Sequence, residues 1–291
     1  MRVGAKVPNS GPYPTQIGIA EMARVLETAG FASLWVSDHV VMPEAFSSPY
    51  PFAADGRATW APDTPYFDAL IALALIAGAT ERATFGTAVL VLPLRHPVVL
   101  AKQAASLDVL SGGRLRLGVG VGWLKEEFDA LDVPFERRGS RFEEWVALLR
   151  DCWSGRPSRH AGEHYELPPG VLCLPRPAHD IELLVGGHSK PALRRAGALG
   201  DGWLAQQSLN ALDPAEIATA RTAQRRAARN AGRDEDALRI VLRVVDSAGR
   251  SDELAAKLPE LARAGVDEVI VDVAWDGGDP TADYARLAGA A

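Results

Sequence analysis

The 291-residue chain has only two cysteines, Cys152 and Cys173, and no grouping of cysteine and histidine with metal-ligand spacing. Two isolated thiols build no disulfide framework and are read as free thiols in a reducing compartment. His160, His164 and His179 fall at irregular intervals in a proline-rich stretch and form no ligand pattern. Long hydrophobic runs are also missing. The most apolar segment, Ala69–Ala79, has the length of a buried helix and is too short to span a membrane. The N-terminus, MRVGAKVPNSG, lacks the apolar stretch of a secretion signal, so a cytoplasmic protein is expected. Positive charge is in deficit: 31 Lys and Arg against 37 Asp and Glu give a net charge of −6, which argues against a nucleic-acid partner. Neither a G-x-S-x-G elbow nor a Walker pattern occurs.

Hydrophobic residues make up 47% of the chain and charged residues 23%, enough for a sizeable core. Short apolar runs alternate with helical patterns throughout. Strands are predicted at 3–7, 33–37, 84–92, 115–119, 182–185, 202–205, 238–245 and 268–273. Helices are predicted at 17–29, 67–79, 96–110, 141–152, 191–199, 215–231, 254–264 and 281–290. Eight strand–helix units call for parallel strands with crossover helices, and eight of them close into a (β/α)8 TIM barrel. No composition break divides residues 1–291, so one domain is expected. Two insertions stand out: residues 40–65, rich in proline and aromatics, after strand two, and residues 154–180, rich in proline, in the unit of strand four. Long loops in a compact domain are usually lids or binding walls.

Barrels carry their chemistry at the carboxyl ends of their strands. At the end of strand four GGRLRLGVGVG (112–122) runs into Trp123 and an acidic helix start, Glu126 and Glu127. Gly118, Gly120 and Gly122 leave room for a planar ligand, although a plain strand-to-loop turn would use the same residues. His39 follows Asp38 after strand two. It is placed either to meet a substrate, where an imidazole with an ordinary pKa of about 6.5 suits proton transfer, or to bond a neighbouring loop. Asp38 is read as an orienting carboxylate. Gly86, Thr87 and Ala88 on strand three leave space for something flat or serve tight packing, and Arg95 and His96 are read as structural. GGHSKP (186–191) opens a helix after strand five. Its amides suit an anion or phosphate, and the plainer alternative is a glycine turn with Ser189 as helix cap.

With these residues in place the chain resembles the bacterial luciferase-like flavin and deazaflavin oxidoreductases along nearly its full length. The resemblance rests on GFASLWVSDHVV (30–41), FGTAVLVLPLRHPVVLAKQAASLDVLSGGRLRLGVGVGW (85–123), FERRGSRFEE (135–144) and GGHSKPALRRAGALGDGW (186–203). It implies an eight-stranded barrel with the cofactor ring in its mouth, and the branch most similar uses coenzyme F420, with FMN as the alternative. The resemblance further implies a cis peptide at Ala88–Val89, in the Thr87–Val89 stretch behind the ring. Asp38 and His39 then lie at the cofactor, with His39 as acid or base. Gly120, Val121 and Gly122 lie near the ring, and Gly186, Gly187, His188 and Ser189 hold the phosphate. Sugar-phosphate-oxidising relatives carry a catalytic glutamate where Trp123 stands, so Trp123 is expected to stack on a flat or apolar substrate instead. The implied function is hydride transfer at the deazaflavin C5 to or from a small organic substrate, in a homodimer. An FMN-dependent monooxygenase, supplied with reduced flavin by a separate reductase, and a non-catalytic flavin-binding protein are the other readings.

Overall fold

Eight parallel strands close on themselves in the computed structural model, which describes residues 1–53, 55–58 and 60–291. They are β1 (Arg2–Lys6), β2 (Ser33–Val36), β3 (Thr84–Val91), β4 (Leu115–Gly120), β5 (Glu182–Gly186), β6 (Gly202–Ser208), β7 (Arg239–Val245) and β8 (Glu268–Val271). Each pairs with its neighbour in sequence, and β1 closes the ring on β8, with Arg2 opposite Glu268 and Val3 opposite Val269. Around them lie α1 (Ile19–Ala29), α2 (Ala69–Ala79), α3 (Pro97–Ser111), α4 (Lys125–Ala130), α5 (Arg138–Trp153), α6 (Lys190–Ala198), α7 (Pro214–Asn230), α8 (Ser251–Ala264) and α9 (Pro280–Ala290). The expected TIM barrel is present, with strand ends within three residues of those read from the sequence; the largest difference is at β6, read as 202–205 and found as Gly202–Ser208.

Local chemistry explains where the helices begin. Asp68, Asp213 and Asp279 each accept two main-chain N–H bonds at the starts of α2, α7 and α9. Two sequence readings are revised. α1 starts at Ile19, because Pro14–Gly18 forms a separate, wider turn before it. α2 is only half buried: Ala72, Leu73 and Ile76 face the barrel while Ile71 and Leu75 face outward. The 154–180 insertion contains a two-strand hairpin, His160–Ala161 against Glu166–Leu167, which no alternation in the sequence marks.

The barrel interior is asymmetric along its axis. At the amino-terminal end Arg116 is held by Glu182 and Glu268, Ser33 donates to Glu268, and the Trp35 indole N–H donates to Ser33 at 2.7 Å. Above that polar plug sit Trp35, Ala88, Leu184, Leu204, Val241 and Ile270, packed against Val89. This plug fills the amino-terminal end, which leaves the carboxyl ends of the strands as the end a barrel opens to ligands.

Candidate active site

Val89 forms the floor of that open end. The register between β3 and β4 shifts between Thr87 and Leu90, and the Ala88–Val89 peptide is cis, at the position the resemblance assigns. The bulge turns the Val89 side chain inward against β4 and β5. A Cβ on Gly120 or on Gly186 would lie 2.8 Å from a Val89 methyl. These two glycines thus clear space for one valine. Thr87 is fully buried and its hydroxyl donates to the Gly118 carbonyl at 2.7 Å, so it supports the strand pair and offers nothing to a ligand.

After β2 the chain delivers Asp38 and His39 side by side, both buried. Asp38 accepts from the Val91 N–H at 3.0 Å and pairs with Arg95, which also holds Asp68 at 2.8 Å. Burial pushes the Asp38 carboxyl up from its ordinary value, opposed by Arg95. Asp38 is therefore a tie between β2, the end of β3 and the start of α2, with both carboxyl oxygens taken by protein partners. Arg95 is structural too, and His96 caps α3 by accepting from the Val99 N–H.

His39 Nδ1 lies 3.1 Å from Glu127 Oε2, and Glu127 Oε1 accepts from the Val40 N–H at 2.5 Å. Glu127 is 1% exposed. A carboxylate facing Nδ1 keeps the ring proton there and leaves Nε2 free for a ligand. The sequence marked Glu127 only as part of an acidic helix start. The signal available was its place on α4 directly after the glycine turn, but its pairing with a residue 88 positions away is a product of the fold.

At the end of β5, Gly187 takes φ +111°, which favours glycine. Ser189 caps α6 by accepting from the Ala192 N–H at 3.3 Å, so the plainer reading holds for its hydroxyl. Among the described residues, the main-chain N–H groups of Gly187, His188, Ser189 and Lys190 have no protein acceptor. His188 is engaged: Nε2 accepts from the Gln206 N–H at 3.1 Å, so Nδ1 carries the proton in the neutral ring and donates to Glu216. Across the mouth, Arg138 of FERRGSRFEE donates from Nε to the Gly122 carbonyl at 3.1 Å and fixes the turn Gly120–Val121–Gly122. The unsatisfied amides at residues 187–190 suit a phosphate, and the Val89 floor suits a flat ring lying on it.

The aromatic insertion lies across this mouth. Trp123 stacks on Phe46 with centroids 6.2 Å apart and meets Tyr50 and Trp60 edge-on. His39 touches Tyr66, Trp60 and Trp123 at 5.3 to 6.1 Å. Burial pushes the Tyr66 hydroxyl up to about 12, so it is a neutral donor near neutrality. Glu126 clasps the insertion, accepting N–H and O–H bonds from both Ser47 and Ser48 at 2.6 to 2.9 Å. Burial alone would raise its carboxyl; the two serines override that and hold it at about 2. Cavities of about 410 and 340 Å³ lie elsewhere, one against the 160–169 hairpin and one outside the insertion at Met42 and Pro62. The rings of the insertion pack on Trp123 and His39 at the barrel mouth. The described residues contain no metal-binding cluster and no helix long and apolar enough to cross a membrane.

A family model described as luciferase-like monooxygenase matches residues 3–286. The chain belongs to the luciferase-like monooxygenase family. Within that family it is similar to an uncharacterised protein of Mycobacterium tuberculosis, 37% identical over 183 residues, 63% of each chain. An F420-dependent glucose-6-phosphate dehydrogenase of Nakamurella multipartita is 31% identical over 189 residues, 64% of this chain and 51% of that one. The matched part thus spans less than two thirds of these curated relatives. Among solved structures an F420-dependent secondary alcohol dehydrogenase shares the luciferase-like fold, with a TM-score of 0.78 at 16% identity, over 98% of this chain and 97% of the other.

Proposed function

We propose that the protein is an oxidoreductase that uses coenzyme F420 and acts on a small organic substrate. The observation that carries this reading is the buried His39–Glu127 pair, set beside a glycine-cleared floor at the open end of the barrel. The 31% identity to F420-dependent glucose-6-phosphate dehydrogenase supports the choice of cofactor. Bound there, the deazaflavin would supply or accept the hydride at its C5. Val89, Gly120 and Gly186 would lie under its ring, and the amides of Gly187, His188, Ser189 and Lys190 would hold its phosphate.

The chain's own contribution is orientation and proton handling. His39 Nε2 gives or takes the proton that accompanies hydride movement. Glu127 keeps Nδ1 protonated, aims the ring, and offsets the charge when the imidazole becomes imidazolium. The aromatic insertion excludes water from the mouth, which strengthens these polar contacts.

The family's description as monooxygenases favours one second reading, FMN with reduced flavin delivered by a separate reductase. Parallel titration of the protein with F420 and FMN separates the two: binding of FMN alone would overturn the F420 assignment. For the role of His39 the test is His39→Ala. Turnover should fall about 100-fold or more while cofactor affinity is kept; unchanged turnover would refute it and favour cofactor binding without catalysis.

A further inference from the structure

The insertion builds an aromatic wall at the barrel mouth. Phe46, Tyr50 and Trp60 from the insertion meet Trp123 from the barrel, with His39 and Tyr66 beneath them. This is a built feature, because the Glu126 clasp and the Ser48 hydroxyl, which accepts from the Lys125 N–H at 3.0 Å, fix the insertion to α4. Among the described residues, no guanidinium lies over a ring of this cage; the three cation–aromatic contacts involve Phe85, Trp35 and Phe135. The cage therefore offers stacking faces, and Arg243, which donates to the Ser37 hydroxyl and the Ala88 carbonyl at the same mouth, is already paired with Asp272.

One polar atom inside it is left over. The Trp60 indole N–H is buried and, among the described residues, has no acceptor. An unmet buried donor costs about 1–3 kcal/mol, a penalty that an acceptor on a bound ligand removes. We infer that the cage binds a neutral, flat, unsaturated or aromatic compound carrying one carbonyl-type oxygen, stacked on Trp123 and accepting from Trp60 Nε1. This rests on the reading of the mouth as the reaction site, and places the substrate's polar atom on the same side as His39.

Calorimetric titration of the whole protein with naphthyl methyl ketone, cyclohexyl methyl ketone, methylnaphthalene and glucose phosphate tests it. The naphthyl ketone should bind about tenfold tighter than either control, since one lacks the flat ring and the other the oxygen. Glucose phosphate should bind weakest. Trp60→Phe, which keeps a ring and removes the N–H, should weaken the naphthyl ketone about tenfold and leave methylnaphthalene unchanged. Trp123→Ala should weaken both aromatic probes, and Trp123→Phe should restore them, which guards against loss by misfolding. Equal binding of the planar and saturated ketones, equal effects of Trp60→Phe on both aromatic probes, or tighter binding of glucose phosphate would overturn the inference. F420 affinity, measured on the same samples, separates the two failures. Naphthyl ketone binding without F420 binding sinks the cofactor reading alone; F420 binding without naphthyl ketone binding sinks the cage alone.

Discussion

Arg95→Met tests the buried tie that sets His39 in place. The substitution keeps most of the aliphatic stem and removes the guanidinium from Asp38 and Asp68. Asp38 is 4% exposed, with the Val91 N–H at 3.0 Å as its remaining partner. Leaving one member of a buried pair uncompensated costs about 3–5 kcal/mol. The Asp68 half adds little, because that side chain is one-third exposed and exposed pairs contribute at most about 1 kcal/mol. Arg95 is itself 17% exposed, so the lower end, about 3 kcal/mol, applies. For a chain of this size that lowers the melting temperature by roughly 6 °C. The pH dependence fixes the cause. Burial already raises the folded-state pKa of Asp38 above its unfolded value, and loss of Arg95 raises it further. A raised carboxyl stabilises the fold while protonated, below its unfolded value, and that contribution is lost as pH rises through the folded value. The Arg95→Met penalty should therefore be larger at about pH 8 than at about pH 5. Adding Asp38→Asn should recover half or more of it. Calorimetric melts at both pH values decide the matter: a loss below about 2 °C, or equal losses at the two pH values, would refute the reasoning.

Three further outcomes follow from the same geometry. Glu127→Gln should keep the fold and cut turnover about tenfold or more, with the alkaline and acid limbs of the pH–rate profile displaced, because an amide no longer fixes the His39 tautomer or offsets its charge. The Glu126 clasp holds its carboxyl at about 2, below the ordinary 4.5, so it acts fully above the ordinary value and is lost as pH falls toward the lower one. Tryptophan fluorescence should report insertion release in that acid window, and Ser47→Ala with Ser48→Ala should move the release to higher pH. Gly187→Ala forces a side chain onto φ +111° and puts its Cβ 3.0 Å from Ala192; F420 affinity should drop about tenfold, and the strain of about 1–3 kcal/mol should lower the melting temperature by roughly 2–6 °C.

The barrel was legible because each element carries its own local signal. Apolar runs of strand length, helical periodicity and a capping residue such as Ser189 act within a few residues, so their spacing in the chain is their spacing in space. The mouth was legible in outline for the same reason: strand ends in a barrel point to one face, and Asp38, His39, Gly120 and Gly187 all lie at or just after strand ends. Their individual roles were not. Gly120 and Gly186 are needed because Val89 turns inward from a third strand, and Thr87 spends its hydroxyl on the Gly118 carbonyl. His39 meets Glu127, and Glu126 meets Ser47 and Ser48, across separations of 88 and 79 residues. The sequence by itself determined eight parallel strand–helix units, since periodicity and capping are local. Only the tertiary structure decided which carboxylate faces the histidine, that the aromatic insertion is clasped to α4 at the mouth, and that, among the described residues, the Trp60 indole N–H has no acceptor. Those outcomes depend on contacts between remote segments, and closure of the ring of strands is what brings the segments together.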